Sequence, residues 1–218
     1  MRLVVFDVDG TLIDSQHHIV GAMNAGFAEA GLPPLDRDQI LRIVGLSLPV
    51  AVAELAGAQS PAVQTRIVDG YRQAFTQARL AQAAPLYPGA RDCLDWLAGR
   101  GDIVVALATG KSRRGVGAMV AAHGLDGRFA SIQTADDHPS KPHPAMLLAA
   151  LAETGVAAER AVMVGDTGFD MAMAAQAGVR ALGVAWGYHP DTALRAAGAA
   201  HVAGDFAELE RILAGWAA

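Results

Sequence analysis

The sequence predicts an α/β fold: a Rossmann-like, doubly wound parallel sheet core with an inserted all-helical cap domain. The sheet is predicted because short apolar runs without polar alternation recur along the chain, separated by segments with helical spacing. The cap is predicted because the stretch 15–84 contains helical spacing only. We therefore expect residues 1–14 and 85–218 to form the Rossmann-like core and residues 15–84 to form the cap.

Four apolar runs are the predicted strands of the core. They are Leu3–Phe6, Ile103–Ala108, Ala161–Val164 and Ala181–Ala185. Such runs, mainly aliphatic and β-branched, are typical of strands buried on both faces of a parallel sheet. The alternation of these strands with amphipathic helices favours a doubly wound topology.

The predicted cap contains its own amphipathic helices. Apolar or small residues at positions 19, 22, 23, 26, 27 and 30 follow the spacing of one helix, which the segment Gly31-Leu32-Pro33-Pro34 ends. Apolar residues at 63, 67, 71 and 75 recur every four positions and predict another. Pro85 and Pro88-Gly89 mark the return to the core.

Composition excludes several classes of protein. With 52% apolar and 18% charged residues, the chain can bury a sizeable core, which excludes global disorder. A net charge of −5 without a basic run predicts no nucleic-acid partner, and the absence of a long apolar stretch predicts no membrane partner. Cys93 is the only cysteine, so neither an internal disulfide nor a thiolate metal cluster is possible. The first residues lack a signal-peptide pattern; we expect a cytoplasmic monomer or homodimer.

Lysine is rare in this chain. Of the 17 basic residues only Lys111 and Lys141 are lysines. A compact ammonium on a flexible stem is one reason to find lysine where arginine is the rule, and chance is the other.

The first predicted strand ends in Asp7-Val8-Asp9-Gly10-Thr11. Two carboxylates two residues apart project to the same side of an extended chain. Ligands of open α/β sheets bind at the carboxyl ends of the strands, which is where both aspartates fall. The structural alternative is an ordinary Asp-x-Asp-Gly surface turn.

The other predicted strands end in polar residues as well. Thr109 and Gly110 stand at a predicted helix N-terminus, which suits phosphate oxygens but is equally typical of a helix cap. Asp166 and Asp170 follow the third run and also fit an N-cap and a first helical turn. Lys141 lies in a proline-containing loop, and Pro142 excludes it from helical geometry.

Convergence of these carboxylates creates an electrostatic problem. Like charges about 4 Å apart repel by about 1 kcal/mol in water and by several kcal/mol at a protein-like dielectric. A divalent cation relieves this repulsion, and an all-oxygen ligand set favours Mg²⁺ over zinc. With the ammonium of Lys141 added, the site suits a phosphoryl dianion.

These motifs resemble those of the haloacid dehalogenase superfamily in order and spacing. The matching residues are Asp7-Val8-Asp9-Gly10-Thr11, Thr109, Lys141 and Gly165-Asp166-Thr167-Gly168-Phe169-Asp170. The helical insertion resembles the small cap of that superfamily. The segments Ala177-Gly178-Val179, Gly183-Val184-Ala185-Trp186-Gly187 and Gly198-Ala199-Ala200 resemble its phosphoglycolate phosphatase branch.

The resemblance implies a Mg²⁺-dependent phosphomonoester hydrolase that acts through an aspartyl-phosphate on a small phosphorylated metabolite, with 2-phosphoglycolate as the best guess. Asp7 would be the nucleophile, and Asp9 would protonate the leaving alcohol and then deprotonate water. The metal would bind the Asp7 carboxylate, the Asp9 main-chain carbonyl and Asp166.

The same resemblance assigns the remaining site residues. Thr109 and the Gly110 N–H would hold phosphate oxygens, and Lys141 would neutralise the nucleophile and the phosphate. Asp170 would orient Lys141 or a metal-bound water. Many family members carry Asn at the position of Gly110, which leaves more of the phosphate binding to backbone donors in this chain.

Several alternatives compete with this interpretation. Asp9 argues against a dehalogenase, whose branch lacks the second aspartate, and the stretch 15–84 has no lysine for a Schiff-base phosphonate mechanism. A sugar-phosphate mutase of the same superfamily and a non-catalytic phosphatase-like scaffold stay open. Arg42 is a candidate for contacting a substrate carboxylate, and the segment Trp186-Gly187-Tyr188 either walls the site or packs in the core.

Overall fold

Six parallel strands form a single sheet at the centre of the core. In the computed structural model, which describes residues 1–217, the strands are β1 (Arg2–Phe6), β2 (Ile103–Thr109), β3 (Ser131–Thr134), β4 (Ala161–Gly165), β5 (Arg180–Val184) and β6 (His201–Ala203). Their order is β3-β2-β1-β4-β5-β6, and every neighbouring pair is parallel. Val4 of the central β1 pairs with Val105 on one side and Val162 on the other. The predicted α/β class is confirmed, while the edge strands β3 and β6 have no counterpart among the predicted strands.

Helices surround this sheet and also form the insertion. They are α1 (Gln16–Glu29), α2 (Arg37–Leu41), α3 (Leu48–Leu55), α4 (Pro61–Ala81), α5 (Ala90–Ala98), α6 (Arg113–Ala122), α7 (Ala145–Thr154), α8 (Gly168–Gln176), α9 (Asp191–Ala196) and α10 (Phe206–Ala217). Among residues 1–217, no helix combines the length and the apolar character that crossing a membrane requires.

Both faces of the sheet are buried, which explains why the strands are apolar without alternation. Successive side chains of a strand point to opposite faces. Val4 and Phe6 accordingly join the cluster on one face, which α5 and α10 cover with residues such as Leu97 and Leu209. Leu3 and Val5 join the cluster on the other face, which α7 and α8 cover.

The helices α1 to α4 pack around a third cluster, separate from the sheet. Its buried residues include Ile19 and Met23 of α1, Ile40 of α2 and Ile67 of α4. The backbones of α1 and α4 touch where they cross, since a methyl group at Gly26 would lie 2.5 Å from the Ile67 carbonyl oxygen. This arrangement confirms the inserted all-helical cap.

Two adjacent segments join the cap to the core. The N–H of Asp14 donates to the Pro85 carbonyl at 2.9 Å, and the N–H of Tyr87 donates to the Leu12 carbonyl at 2.9 Å. The chain therefore leaves and re-enters the core side by side, next to the carboxyl end of β1. The domain boundaries at 14/15 and 84/85 stay predictions, and these paired segments lie at both of them.

Candidate active site

The carboxyl ends of the central strands bring the predicted polar residues together. Asp7 directly follows β1, Thr109 is the last residue of β2, and Asp166 directly follows β4. These strands are adjacent and parallel, so their carboxyl ends meet at one edge of the sheet. Lys141 reaches this edge from the loop before α7, and Asp170 reaches it from the first turn of α8.

A buried ion cluster lies at the bottom of the site. The Lys141 Nζ lies 2.8 Å from Asp7 Oδ1 and donates a hydrogen bond of 2.7 Å to Asp170 Oδ1. The lysine side chain is 0% exposed, and those of both carboxylates are at most 1% exposed. Asp170 Oδ2 accepts from the N–H and the hydroxyl of Thr167, which form the N-terminal cap of α8. The helix cap therefore fixes the carboxylate that holds the ammonium.

The carboxylates of this cluster fit a divalent cation. Oxygen atoms of Asp7, Asp166 and Asp170 lie within 4.8 Å of one another. Asp166 is already oriented, because its Oδ1 accepts from the Thr11 hydroxyl at 2.7 Å and its Oδ2 from the Tyr188 N–H at 2.9 Å. Neither buried oxygen of Asp7 has a hydrogen-bond partner, and Asp7 Oδ1 is held by the ion pair with Lys141 at 2.8 Å. Oxygen donors with free lone pairs in an excess of negative charge are the ligands that Mg²⁺ takes.

Burial and mutual repulsion shift the ionisation of these groups. Burial raises the pKa of Asp7 to about 6, and the Asp170 carboxylate raises it as well, against the opposing effect of Lys141. Burial, followed by Asp7 and Asp170, raises the pKa of Asp166 well above its ordinary value. Burial disfavours the charged form of Lys141, but Asp170 and Asp7 outweigh it and raise the lysine pKa. Lys141 is therefore charged, and its single positive charge does not offset the burial and mutual repulsion of the three carboxylates Asp7, Asp166 and Asp170.

Asp9 has different partners from Asp7. Its Oδ1 accepts from the Ser15 hydroxyl at 2.6 Å, and the Lys111 Nζ donates to its Oδ1 at 2.8 Å and its Oδ2 at 2.9 Å. The Asp9 side chain thus lies outside the group formed by Asp7, Asp166 and Asp170. Sequence reasoning missed the partnership with Lys111, although the scarcity of lysine pointed to that residue.

Thr109 and Gly110 border the cavity above Asp7. Thr109 is buried, and its hydroxyl accepts from the Lys111 N–H at 3.2 Å. Gly110 is covered by the cap loop, residues 42–47, which connects α2 to α3. A methyl group at Gly110 would lie 2.6 Å from the Gly45 carbonyl oxygen, so no side chain fits there.

The cap loop closes over the core through polar contacts as well. The N–H of Ser47 donates to the Ser140 hydroxyl at 2.8 Å, next to Lys141. The His189 Nε2 bonds the Arg42 carbonyl oxygen at 3.0 Å. These contacts join the cap loop to the segments that carry the site.

A cavity of about 470 Å³ lies between core and cap, directly above the ion cluster. The core residues that line it include Asp7, Asp9, Thr109, Gly110 and Lys111. The cap residues that line it include Ile19, Met23, Val44, Tyr71 and Phe75. Polar residues of the core therefore face these apolar residues of the cap across the cavity.

Arg42 and the segment 186–188, both singled out in the sequence, do not line the cavity above Asp7. Arg42 borders a separate cavity of about 350 Å³ with Trp186 and Tyr188, so its predicted contact with a substrate carboxylate above Asp7 is not supported. The segment 186–188 supports the site from behind: Trp186 Nε1 donates to the Thr11 carbonyl at 3.0 Å, and the N–H of Tyr188 donates to Asp166.

Together, the parallel sheet, the buried carboxylates around Lys141 and the helical cap are typical of a capped α/β enzyme whose site fits an anionic group and a divalent cation. The family model described as haloacid dehalogenase-like hydrolase matches residues 4–184. The chain belongs to this family, and it is an enzyme. The superfamily inferred from the sequence motifs is confirmed.

Individual relatives agree with the family. "Probable phosphatase IndB" of Dickeya dadantii (strain 3937) is 37% identical over 213 residues, which cover 95% of this chain and 91% of that protein. A phosphoglycolate phosphatase of Rhodospirillum rubrum is 34% identical over 220 residues, which cover 95% and 89% respectively. The crystal structure of a hydrolase from Pseudomonas syringae is similar with a TM-score of 0.88 and 25% identity, covering 99% of each chain.

Proposed function

We propose that this chain is a Mg²⁺-dependent phosphatase that hydrolyses a small phosphate monoester through an aspartyl-phosphate on Asp7. The observation that supports it best is the state of Asp7: its carboxylate is buried, faces the cavity and lacks a hydrogen bond on either oxygen. A structural carboxylate at such depth is normally satisfied by donors. An unsatisfied one beside an ammonium suits a nucleophile whose partners arrive with the substrate.

In this proposal, Asp7 attacks phosphorus and the bond to the ester oxygen breaks. Asp9 gives its proton to the leaving alcohol, then takes a proton from the water that attacks the aspartyl-phosphate and releases inorganic phosphate. The pairing of Lys141 with Asp7 and Asp170 keeps its charge beside the reacting atoms throughout. Phosphoryl transfer depends mainly on positioning and charge stabilisation, and these buried contacts supply both.

The metal would be held by the Asp7 carboxylate, the main-chain carbonyl of Asp9 and Asp166. When bound, Mg²⁺ would neutralise charge on the phosphate and the nucleophile. Thr109 and the N–H of Gly110 would bind phosphate oxygens from the end of β2, at the cavity wall.

The candidate substrate is 2-phosphoglycolate. It is supported by the relatives that bear the name phosphoglycolate phosphatase, including the protein of Rhodospirillum rubrum. A cytoplasmic location and a monomeric or homodimeric state complete the proposal as predictions.

Phosphate release from a panel of phosphorylated metabolites, with Mg²⁺ and with EDTA, tests the function. We expect turnover with Mg²⁺ only, and we expect Asp7→Asn to lose at least about a thousandfold in kcat because the nucleophile is gone. Turnover by Asp7→Asn close to that of the wild type would remove Asp7 from this role. In Asp9→Asn, slow dephosphorylation should let a phospho-enzyme accumulate in quenched-flow labelling.

Analysis of all the phosphorylated products in the same reactions distinguishes a sugar-phosphate mutase from a non-catalytic scaffold. A sugar-phosphate mutase would convert one sugar phosphate into another without net phosphate release. A non-catalytic scaffold would give neither product with any member of the panel.

A further inference from the structure

Lys111 occupies an unusual position for a lysine at the end of a strand. It follows Thr109 and Gly110, yet its side chain is only 8% exposed. The Nζ lies 4.7 Å from the centroid of the Phe75 ring, which belongs to cap helix α4. An ammonium over an aromatic face is attracted by the ring quadrupole. The side chain therefore bridges core and cap inside the cavity.

The partner of Lys111 in the free enzyme is the proposed acid–base group. Lys111 contacts both oxygens of Asp9, and Ser15 contacts Oδ1 as well. Asp9 must direct one oxygen to the ester oxygen of the substrate, so one of these contacts has to open. Ser15 is buried at the start of the cap, whereas Lys111 has a flexible four-carbon stem. Lys111 is therefore the partner that can move.

The cavity beyond Asp9 has a positive charge and an apolar wall. Arg72, Arg79 and Arg114 line it together with Lys111. Apart from Asp7 and Asp9, the acid that lines it is Asp136, whose carboxylate already accepts from the Arg113 N–H at 2.8 Å. An anionic group in this part of the cavity would meet Arg79 and Arg114 in addition to Lys111, whereas Arg72 already pairs with Asp69 at 3.6 Å.

The cavity is large enough to hold substrates longer than 2-phosphoglycolate. At about 470 Å³ it falls within the range of roughly 300–1,000 Å³ that is usual for small-molecule sites. A two-carbon acid with one phosphate leaves much of that space unfilled. Tyr71 and Phe75, stacked with ring centroids 5.6 Å apart, provide a flat wall for a longer body.

We infer that Lys111 determines specificity: its ammonium transfers from Asp9 to a second anionic group of the substrate, so the enzyme selects phosphate monoesters that carry such a group. This inference rests on the proposed phosphatase function. Transfer of the ammonium both holds the substrate and frees an Asp9 oxygen, which can then take up a proton from solvent and give it to the ester oxygen. A neutral substrate offers Lys111 no new partner, so Asp9 stays occupied. In this scheme Lys111 binds the second anionic group of the substrate and takes no part in the bond that breaks.

Matched substrate pairs test the inference. Each pair differs in the second anionic group: 2-phosphoglycolate against 2-hydroxyethyl phosphate, 3-phosphoglycerate against glycerol 3-phosphate, and fructose 1,6-bisphosphate against fructose 1-phosphate. The first two pairs probe a carboxylate and the third a phosphate. We expect the wild type to favour the charged member of at least one pair by tenfold or more in kcat/KM, which corresponds to about 1.4 kcal/mol.

Substitutions of Lys111 test whether its positive charge causes the preference for the charged member of a pair. In Lys111→Met, which keeps the length but not the charge, the ratio within the preferred pair should fall to near one. Lys111→Arg should retain most of the ratio. Arg180→Met is the matched control, since Arg180 is exposed and pairs with Val162 at the opposite end of the strands. It removes a positive charge and should leave the ratio unchanged.

The possible outcomes distinguish a failure of the role proposed for Lys111 from a failure of the proposed phosphatase function. No phosphate release from any substrate overturns the phosphatase proposal itself. Turnover by the wild type with ratios near one in every pair overturns only the role of Lys111. An equal loss for both members of a pair in Lys111→Met does the same, because it shows that Lys111 serves Asp9 alone. If Lys111→Met does not fold, Lys111→Gln, which also removes the charge, takes its place: its ratio should likewise fall to near one, and an unchanged ratio overturns the role of Lys111.

Discussion

Replacing Lys141 with methionine should destabilise the protein far more than the loss of an ordinary ion pair. The ammonium is 0% exposed and lies 2.8 Å from Asp7 and 2.7 Å from Asp170. Methionine preserves the shape of the side chain but leaves both carboxylates buried without a cation. Removing one partner of a buried ion pair costs about 3–5 kcal/mol. For a chain of this size, about 2–4 °C in Tm per kcal/mol gives a decrease of about 6–20 °C.

Thermal and urea unfolding at pH 7 without metal measure this loss. The matched control is Arg195→Met, because Arg195 also lies 2.7 Å from its partner, Asp191, but both side chains are at least half exposed. An exposed pair contributes about 0–1 kcal/mol, so this variant should be nearly as stable as the wild type. The two pairs share a distance and differ in burial.

A double variant identifies the cause. In Lys141→Met with Asp170→Asn, one of the two unpaired charges is gone, so the double variant should be more stable than Lys141→Met alone. Such non-additivity is expected for residues in one network. The reasoning is refuted if Lys141→Met costs no more than Arg195→Met, or if the second substitution makes the protein still less stable.

Three further predictions concern the metal, the cap loop and the cysteine. The pKa of Asp7 is raised to about 6 from 3.8, so protonation of Asp7 stabilises the fold without metal fully below about pH 4, and this stabilisation is lost as the pH rises through 6. Mg²⁺ should therefore raise Tm more at pH 7 than at pH 4.5. Equal increases in Tm at the two pH values would contradict this prediction. Gly110→Asn should lower kcat/KM by about tenfold or more, since an added Cβ lies 2.6 Å from the Gly45 carbonyl oxygen. Gly101→Asn, where an added Cβ has no neighbour within 4 Å, should not. Burial raises the pKa of Cys93 to about 12, so a thiol reagent should react with it only after unfolding, and rapid labelling of the native protein would refute its inertness.

The central strands were predictable because they are buried on both faces. Their apolar runs agree with β1, β2, β4 and β5 to within one residue at either end. The edge strand β3 gives no such signal, because its buried Ser131 and Gln133 are polar and bond each other at 2.8 Å. The strand β6 has three residues, too few for any pattern. The apolar pattern used to predict strands is therefore absent from β3, whose buried side chains are polar, and from β6, which is too short.

The candidate site was predictable to the extent that parallel topology dictates it. Carboxyl ends of adjacent parallel strands share one edge, so the meeting of Asp7 with Asp166 follows from the strands alone. The partnership of Lys111 with Asp9 does not follow, because it depends on where Phe75 of the cap lies above the core. Cap placement is set by tertiary packing, which a linear pattern does not encode.

The crossing of α1 and α4 limits where this enzyme can acquire new substrates. A Cβ at Gly70 would lie 2.9 Å from the Gly26 Cα, so the crossing point tolerates no added atoms. Downstream, α4 carries Tyr71, Phe75 and Arg79 along the cavity wall, where side chains have room to vary. Directed evolution of selectivity should therefore randomise these partly buried positions on the cavity side of the helix and leave the two glycines untouched.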